Sequence, residues 1–357
     1  MLALTPIMTA CGTTSTARAP AAATPPSMST RAAAERFLAR YVTGDGRVIR
    51  HDQGGDIVSE GQAYGMLIAE VAQQPALVHT IWSWTSAHLA NSDGLIASHA
   101  TGSGQIEDPH SATDADILTA YALLRYAGTD QAALHAEGRR IAEAVLSQES
   151  VTLPDGAPLP VAGPWAKTTE TVDPSYLMPS VFAGLAGLTG DARWQQAATA
   201  AVALVGSLTN GGRLLPPDWA RLSGDRLVPI PNPGGGAGVQ YGFDAARLPI
   251  WFATACTVQA RSLAAAWWRN LLGTDGRSGP QALSLNGASI NAAPSPLPIM
   301  AGSAAAAAAG DDSAARELRT RATTLAREDP TYYGDAWVAL GPALLEGSID
   351  PCAQART

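Results

Sequence analysis

The sequence predicts an all-α protein, and three observations carry that expectation. From residue 30 onward apolar residues recur at i, i+3 and i+4 in long segments, while alternating, strand-like runs are few. Several of these segments are joined by turns as short as Gly128-Thr129-Asp130 and Thr189-Gly190, the mark of antiparallel helical hairpins. The segments number twelve. Six hairpins closing on themselves make an (α/α)6 barrel.

In chain order the predicted helices cover about 30–42, 60–73, 77–90, 114–127, 131–147, 174–188, 191–208, 244–257, 259–272, 296–309, 312–327 and 333–346. The second opens on an acid, Glu60. The fourth opens on two aspartates, Asp114 and Asp116, and runs straight into the apolar stretch Ile117–Leu124. Pro174 begins the sixth, a residue suited to a first helical turn. Asp244 stands among aromatics at the start of the eighth, with Arg247 three residues on. The alanine block 304–309 in the tenth favours a tight helix contact. Trp82, Trp84, Trp267, Trp268 and Trp337 fall inside helical patterns and are expected to pack.

Long connections lie at about 43–59, 91–113, 148–173, 209–243 and 273–295. Irregular loops of this length in a compact domain are commonly functional. Each of the first four ends on one of the acidic or aromatic motifs, so the motifs should gather on one face of the barrel around a cleft.

The stretch Ser59-Glu60-Gly61-Gln62-Ala63-Tyr64-Gly65-Met66 sets a carboxylate among two glycines and a tyrosine. Glycines admit close backbone approach to a ligand and a sugar can lie against Tyr64. A helix N-terminus that simply favours an acid is the plain alternative. Capping equally explains Asp114, and a surface pair explains Asp244 with Arg247. Three such segments, each richer than a cap requires, are harder to dismiss.

Together they resemble glycoside hydrolase family 8, particularly the periplasmic endoglucanases of bacterial cellulose-synthesis systems. The likeness starts near Arg36-Phe37 and takes in Asp45-Gly46-Arg47-Val48-Ile49, the Glu60 motif and Ala112–Asp116. It continues through Asp173-Pro174-Ser175-Tyr176, which is similar to the family's Asn-Pro-Ser-Tyr element, and through Pro217-Asp218-Trp219 and Thr331-Tyr332-Tyr333. Four positions depart from the pattern: Asp173 for Asn, Phe243 for Tyr, Thr119 for Ile or Met, and Tyr126 for Ala. None removes a catalytic carboxylate.

The resemblance implies an inverting endo-β-1,4-glucanase with Glu60 as general acid and Asp244 as general base, their carboxyls roughly 6.5 to 9.5 Å apart with water between. It places Asp114 at the cleavage subsite, where its charge would hold the proton on Glu60. Asp116, about 200° further round the helix, reads as a structural acid. Tyr176 is expected near the catalytic water, with a half-buried core tyrosine as the alternative. Arg247 orients the base or binds a hydroxyl, or forms a buried salt bridge under the site. Trp219 and Trp165, both in loops, are candidate sugar platforms, as is Tyr64. A xylanase, mixed-linkage glucanase or chitosanase of the same family is the nearest alternative; a non-catalytic glucan-binding accessory protein is the more distant one.

Composition agrees with a polysaccharide partner. The 357 residues carry a net charge of −8 and are 46% hydrophobic, enough for one large core. The acidic balance argues against nucleic acid, which needs basic surface. The six histidines and three cysteines show no metal-ligand spacing, the Gly234–Gly238 stretch lacks the lysine of a phosphate loop, and no cofactor is called for.

Residues 1–29 are expected to be a signal or lipoprotein-like segment with an Ala/Pro/Ser/Thr linker, Cys11 being the lipidation site. That predicts an exported protein, periplasmic or secreted, with Cys11 offering a lipid anchor; the family resemblance, not this segment, suggests a functional association with a cellulose synthase complex. The catalytic domain is then 30–347 and the tail 348–357. Cys256 and Cys352 either bridge or, the reading preferred from Cys352 lying near a frayed terminus, remain a buried thiol and a tail thiol.

Overall fold

A computed structural model describes residues 28–271 and 279–354. The predicted leader with Cys11 lies outside the described residues. Thirteen helices are present among those described: α1 (Met28–Tyr41), α2 (Ser59–Val71), α3 (Pro75–His88), α4 (Thr113–Arg125), α5 (Gln131–Gln148), α6 (Pro179–Thr189), α7 (Ala192–Leu208), α8 (Leu248–Ala253), α9 (Val258–Leu271), α10 (Pro296–Ala308), α11 (Asp312–Glu328), α12 (Tyr332–Leu345) and α13 (Pro351–Gln354).

The even-numbered helices α2 to α12 form an inner ring. Each packs on the next, and α12 returns to α2. The odd-numbered helices lie outside, as α5 does on α4, α7 on α6 and α11 on α10. Residue pattern explains the two rings. On α2, α4, α10 and α12 almost every residue is buried, whereas α5 and α11 bury one stripe and carry charge on the rest. Ala304, Ala305 and Ala306 are fully buried and let α10 lie close to α11. The five packing tryptophans are all at most 7% exposed. This is the expected (α/α)6 barrel.

A charged seam joins the ends of the chain. Asp335 of α12, with no side-chain exposure, faces Arg36 and Arg40 of α1 at 3.4 Å each and accepts from the Tyr41 hydroxyl at 3.1 Å.

Two predicted helices begin differently. The 174–188 segment starts as a 3-10 turn, Pro174–Tyr176, and becomes α-helical only at Pro179. Pro179 disfavours helical geometry in the residue before it. The eighth likewise opens on a 3-10 turn, Ala245–Arg247, and α8 is short. The long connections contain small antiparallel hairpins, such as Ala97–Ala100 with Ile106–Ser111 and Pro280–Leu283 with Ser289–Pro294.

The C-terminal tail needs correction. Ile349 is buried, α13 packs on α6, and Cys352 is bonded to Cys256 with Cα atoms 5.3 Å apart. The preferred reading of two free thiols and a frayed end fails because apolar Ile349 and Pro351 anchor the segment against the barrel. The folded unit therefore extends past 347, to 354.

Candidate active site

The inner helices present their N-terminal ends to one face, and the acidic motifs meet there. Glu60 lies in the first turn of α2 and Asp114 in the first turn of α4. Neither helix start has a side-chain cap. Asp114 instead accepts from the Ala115 N–H at 2.9 Å. Asp244 precedes the turn into α8, and Asp173 caps the turn before α6 by accepting from Ser175 N–H at 2.8 Å.

Arg247 ties these four acids together. Its Nη1 donates to Glu60 Oε2 at 2.9 Å and to Asp114 Oδ2 at 2.8 Å. Its Nη2 donates to Asp173 Oδ2 and Asp244 Oδ1, both at 3.1 Å, and its Nε to the Asp244 carbonyl at 3.3 Å. A guanidinium has five N–H donors, and here all five are taken. Arg247 is also 3% exposed, so the expectation that it binds a sugar hydroxyl is corrected: it has no donor left to offer. It orients the carboxylates from beneath, the buried ion-pair alternative, and its charge rests over the Tyr176 ring at 5.4 Å.

Four carboxyls around one cation in a poorly solvated place cannot all ionise. Burial pushes Glu60 up to about 8, opposed by Arg247 and assisted by Asp114 and Asp244. Burial therefore outweighs Asp114, the group expected to hold the proton. Asp244 rises to about 6, again through burial first, with Arg247 opposing and Asp218 adding. Asp114 is also raised by burial, while Arg247, the Ala115 N–H and the Tyr176 hydroxyl pull it down. Asp173 is held well above the carboxylate range by burial and the nearby Asp244. Glu60 and Asp244 keep 20% and 36% of their side chains accessible, against 4% and 1% for Asp114 and Asp173. The two raised but reachable acids face the cleft.

Other predicted residues divide. Tyr176 lines the cleft beside Asp114. Trp165 is 43% exposed next to the strand leading into α4, and Trp219 is half-buried against the core. Neither tryptophan lines the cavities that flank Glu60. Tyr64 is corrected: it has no exposure and meets Trp337 edge-on at 5.6 Å, so no ring face is open to a sugar. The glycines around Glu60 also serve packing. A Cβ on Gly61 would lie 2.9 Å from the Tyr332 hydroxyl, and one on Gly65 would lie 2.7 Å from Val48. Asp116 is fully buried, with Glu149 rather than the cleft as its main charged neighbour.

The roles of several residues escaped the sequence. Asp218 accepts from the Gly242 and Ala245 N–H groups at 2.8 and 2.9 Å and so fixes the loop that carries Asp244. Phe243, noticed only as a departure, is 39% exposed and meets Tyr333 edge-on at 6.1 Å. Both rings line a cavity of about 360 Å³ with Glu60 and Asp244. On the other side of Glu60 a cavity of about 310 Å³ is lined by Arg50, Asp56, Ser98, His99, Asp114 and Tyr176 among others. A third, of about 260 Å³, lies against the disulfide, away from the acids.

The model of glycosyl hydrolases family 8 matches residues 8–340. The chain belongs to that family. It is a glycoside hydrolase of the endoglucanase type. A "Probable endoglucanase" of Novacetimonas hansenii is 30% identical over 249 residues, which cover 66% of this chain and 70% of that one. Among solved structures, a β-1,3-1,4-glucanase from Paenibacillus sp. X4 superposes with a TM-score of 0.78 at 21% identity, covering 92% of this chain and 95% of the other. The endo-β-1,4-glucanase CMCax from Acetobacter xylinum gives 0.72 at 25% identity, with 91% and 99% covered.

Proposed function

We propose that this family 8 enzyme is an inverting endo-β-1,4-glucanase acting on cellulose-like chains, with Glu60 as general acid and Asp244 as general base. One observation carries the reading: two reachable carboxyls stand on opposite sides of one saturated guanidinium, and burial keeps them in opposite protonation states near neutrality. Between about pH 6 and 8 Glu60 holds a proton for the departing oxygen while Asp244 is ionised to draw one from water. An arginine set between the two carboxyls supports a separation that admits water, as inversion requires. Asp114 touches the same Nη1 as Glu60 and contacts the sugar at the point of cleavage.

The Cys256–Cys352 bond supports export, since disulfides persist in oxidising compartments. Lipidation at Cys11 and service to a cellulose-secretion system complete the proposal. The test is hydrolysis of cello-oligosaccharides followed by NMR of the first product anomer. Inversion gives the α-anomer; a β-anomer defeats it. Binding of glucan without release of reducing ends would favour the accessory-protein alternative. A panel of β-glucans, xylan and chitosan identifies the polymer.

A further inference from the structure

Arg50 is a cleft residue with no part in the chemistry just described, yet its placement is specific. Its Nε donates to Asp56 Oδ1 at 2.8 Å and its Nη2 to Asp56 Oδ2, a two-point clamp. His99 backs that clamp: its Nε2 is 2.8 Å from the same Asp56 oxygen and its Nδ1 is 3.4 Å from Glu107. The guanidinium is thus fixed from one side, across the sheet that pairs Ile57–Val58 with His99–Ala100. Nη1 is left with no protein partner among the described residues, and the side chain remains 20% exposed.

The two cavities that flank Glu60 have only two lining residues in common, Glu60 and Arg50. A glycosidic oxygen that takes its proton from Glu60 lies where the cavities meet. The sugars on either side of it pass Arg50. We propose that Arg50 binds sugar hydroxyls at the scissile bond through Nη1, and that Asp56 and His99 are positioning residues that hold it there. The inference rests on the hydrolase reading above. On the Asp114 side no tryptophan lines the wall and the Tyr176 ring already carries Arg247. Directed hydrogen bonds from Arg50 therefore hold the sugar there in place of stacking, and that subsite reads hydroxyl pattern.

The charged groups facing Glu60 are Arg247, Asp114, Asp244 and Arg50. Removing the Arg50 cation disfavours the Glu60 anion, so the alkaline limb of the pH profile moves upward. The experiment compares Arg50→Met, Arg50→Lys and Asp56→Asn in steady-state kinetics on cello-oligosaccharides. It also measures calorimetric binding in a Glu60→Gln background. Expected are a roughly tenfold rise in KM and in Kd for Arg50→Met, partial rescue by Arg50→Lys, an intermediate value for Asp56→Asn, and the upward pH shift. Unchanged KM, Kd and pH limb in folded Arg50→Met, with Arg50→Lys equally silent, overturns the proposal. A wild type that hydrolyses no β-glucan defeats the hydrolase reading instead; the binding arm still reports on Arg50, with weakened binding supporting the inference and unchanged binding overturning it.

Discussion

The two halves of the cleft meet at Glu60 and are built from different materials. The Asp244 side sets the rings of Phe243 and Tyr333 among polar groups such as Asp52, Gln53 and Gln281. The Asp114 side has polar Asp56, Ser98 and His99 and a single ring, Tyr176, which already carries Arg247, while Arg50 lines both sides. Stacking is forgiving of orientation and hydrogen bonding is not. Hydrogen-bonding groups line both sides, and an aromatic pair is added on one, which is what this contrast teaches.

The largest effect tests whether both halves serve one centre. Glu60→Gln and Asp244→Asn each lower kcat by about 10²- to 10⁴-fold, read as reducing-end release. Comparable loss in both is expected; activity surviving either change removes that residue from the chemistry. Next comes Asp114→Asn. Turnover falls strongly, and because an anion beside Glu60 is lost, its proton leaves more readily and the alkaline limb moves to lower pH. An unmoved limb with a near-normal rate would break the Asp114 assignment. Smaller again is Phe243→Ala, which raises KM by about three- to tenfold, from ~0.5–1.5 kcal/mol of lost aromatic contact, and leaves the pH profile alone. A shift of either limb would show that the stacking side also tunes the acids. Least of all should catalysis feel the disulfide. Cys352→Ser lowers Tm by several degrees, about 2–4 kcal/mol of stability, with KM and kcat unchanged.

Helix positions were legible because a 3.6-residue apolar period is written into the chain; most ends agree within a residue or two, as 312–327 does with Asp312–Glu328. Glu60, Asp114 and Asp244 were legible as acids opening apolar helices. Tyr64 and Gly61 misled because a motif shows which residues are neighbours in sequence, not which side faces Tyr332 and Trp337. The saturation of Arg247 was hidden for a related reason, since four of its five bonds go to side chains and three of those lie 74 to 187 residues away. Arg50 sits in a connection and His99 on the four-residue strand Ala97–Ala100, a stretch too short for a period to mark a residue. The tail was misjudged because buried Ile349 and a bond across 96 residues outweigh the fraying expected of a terminus.

The seam between Asp335 and the arginines of α1 joins residues 299 and 295 positions apart. A ring of this kind cannot close while its last third is still being made, because the partner that satisfies Arg36 and Arg40 emerges almost at the end. Contacts of such long sequence separation slow folding. The nascent chain therefore stays open for most of its synthesis, and the circle closes only when α12 is available to α1.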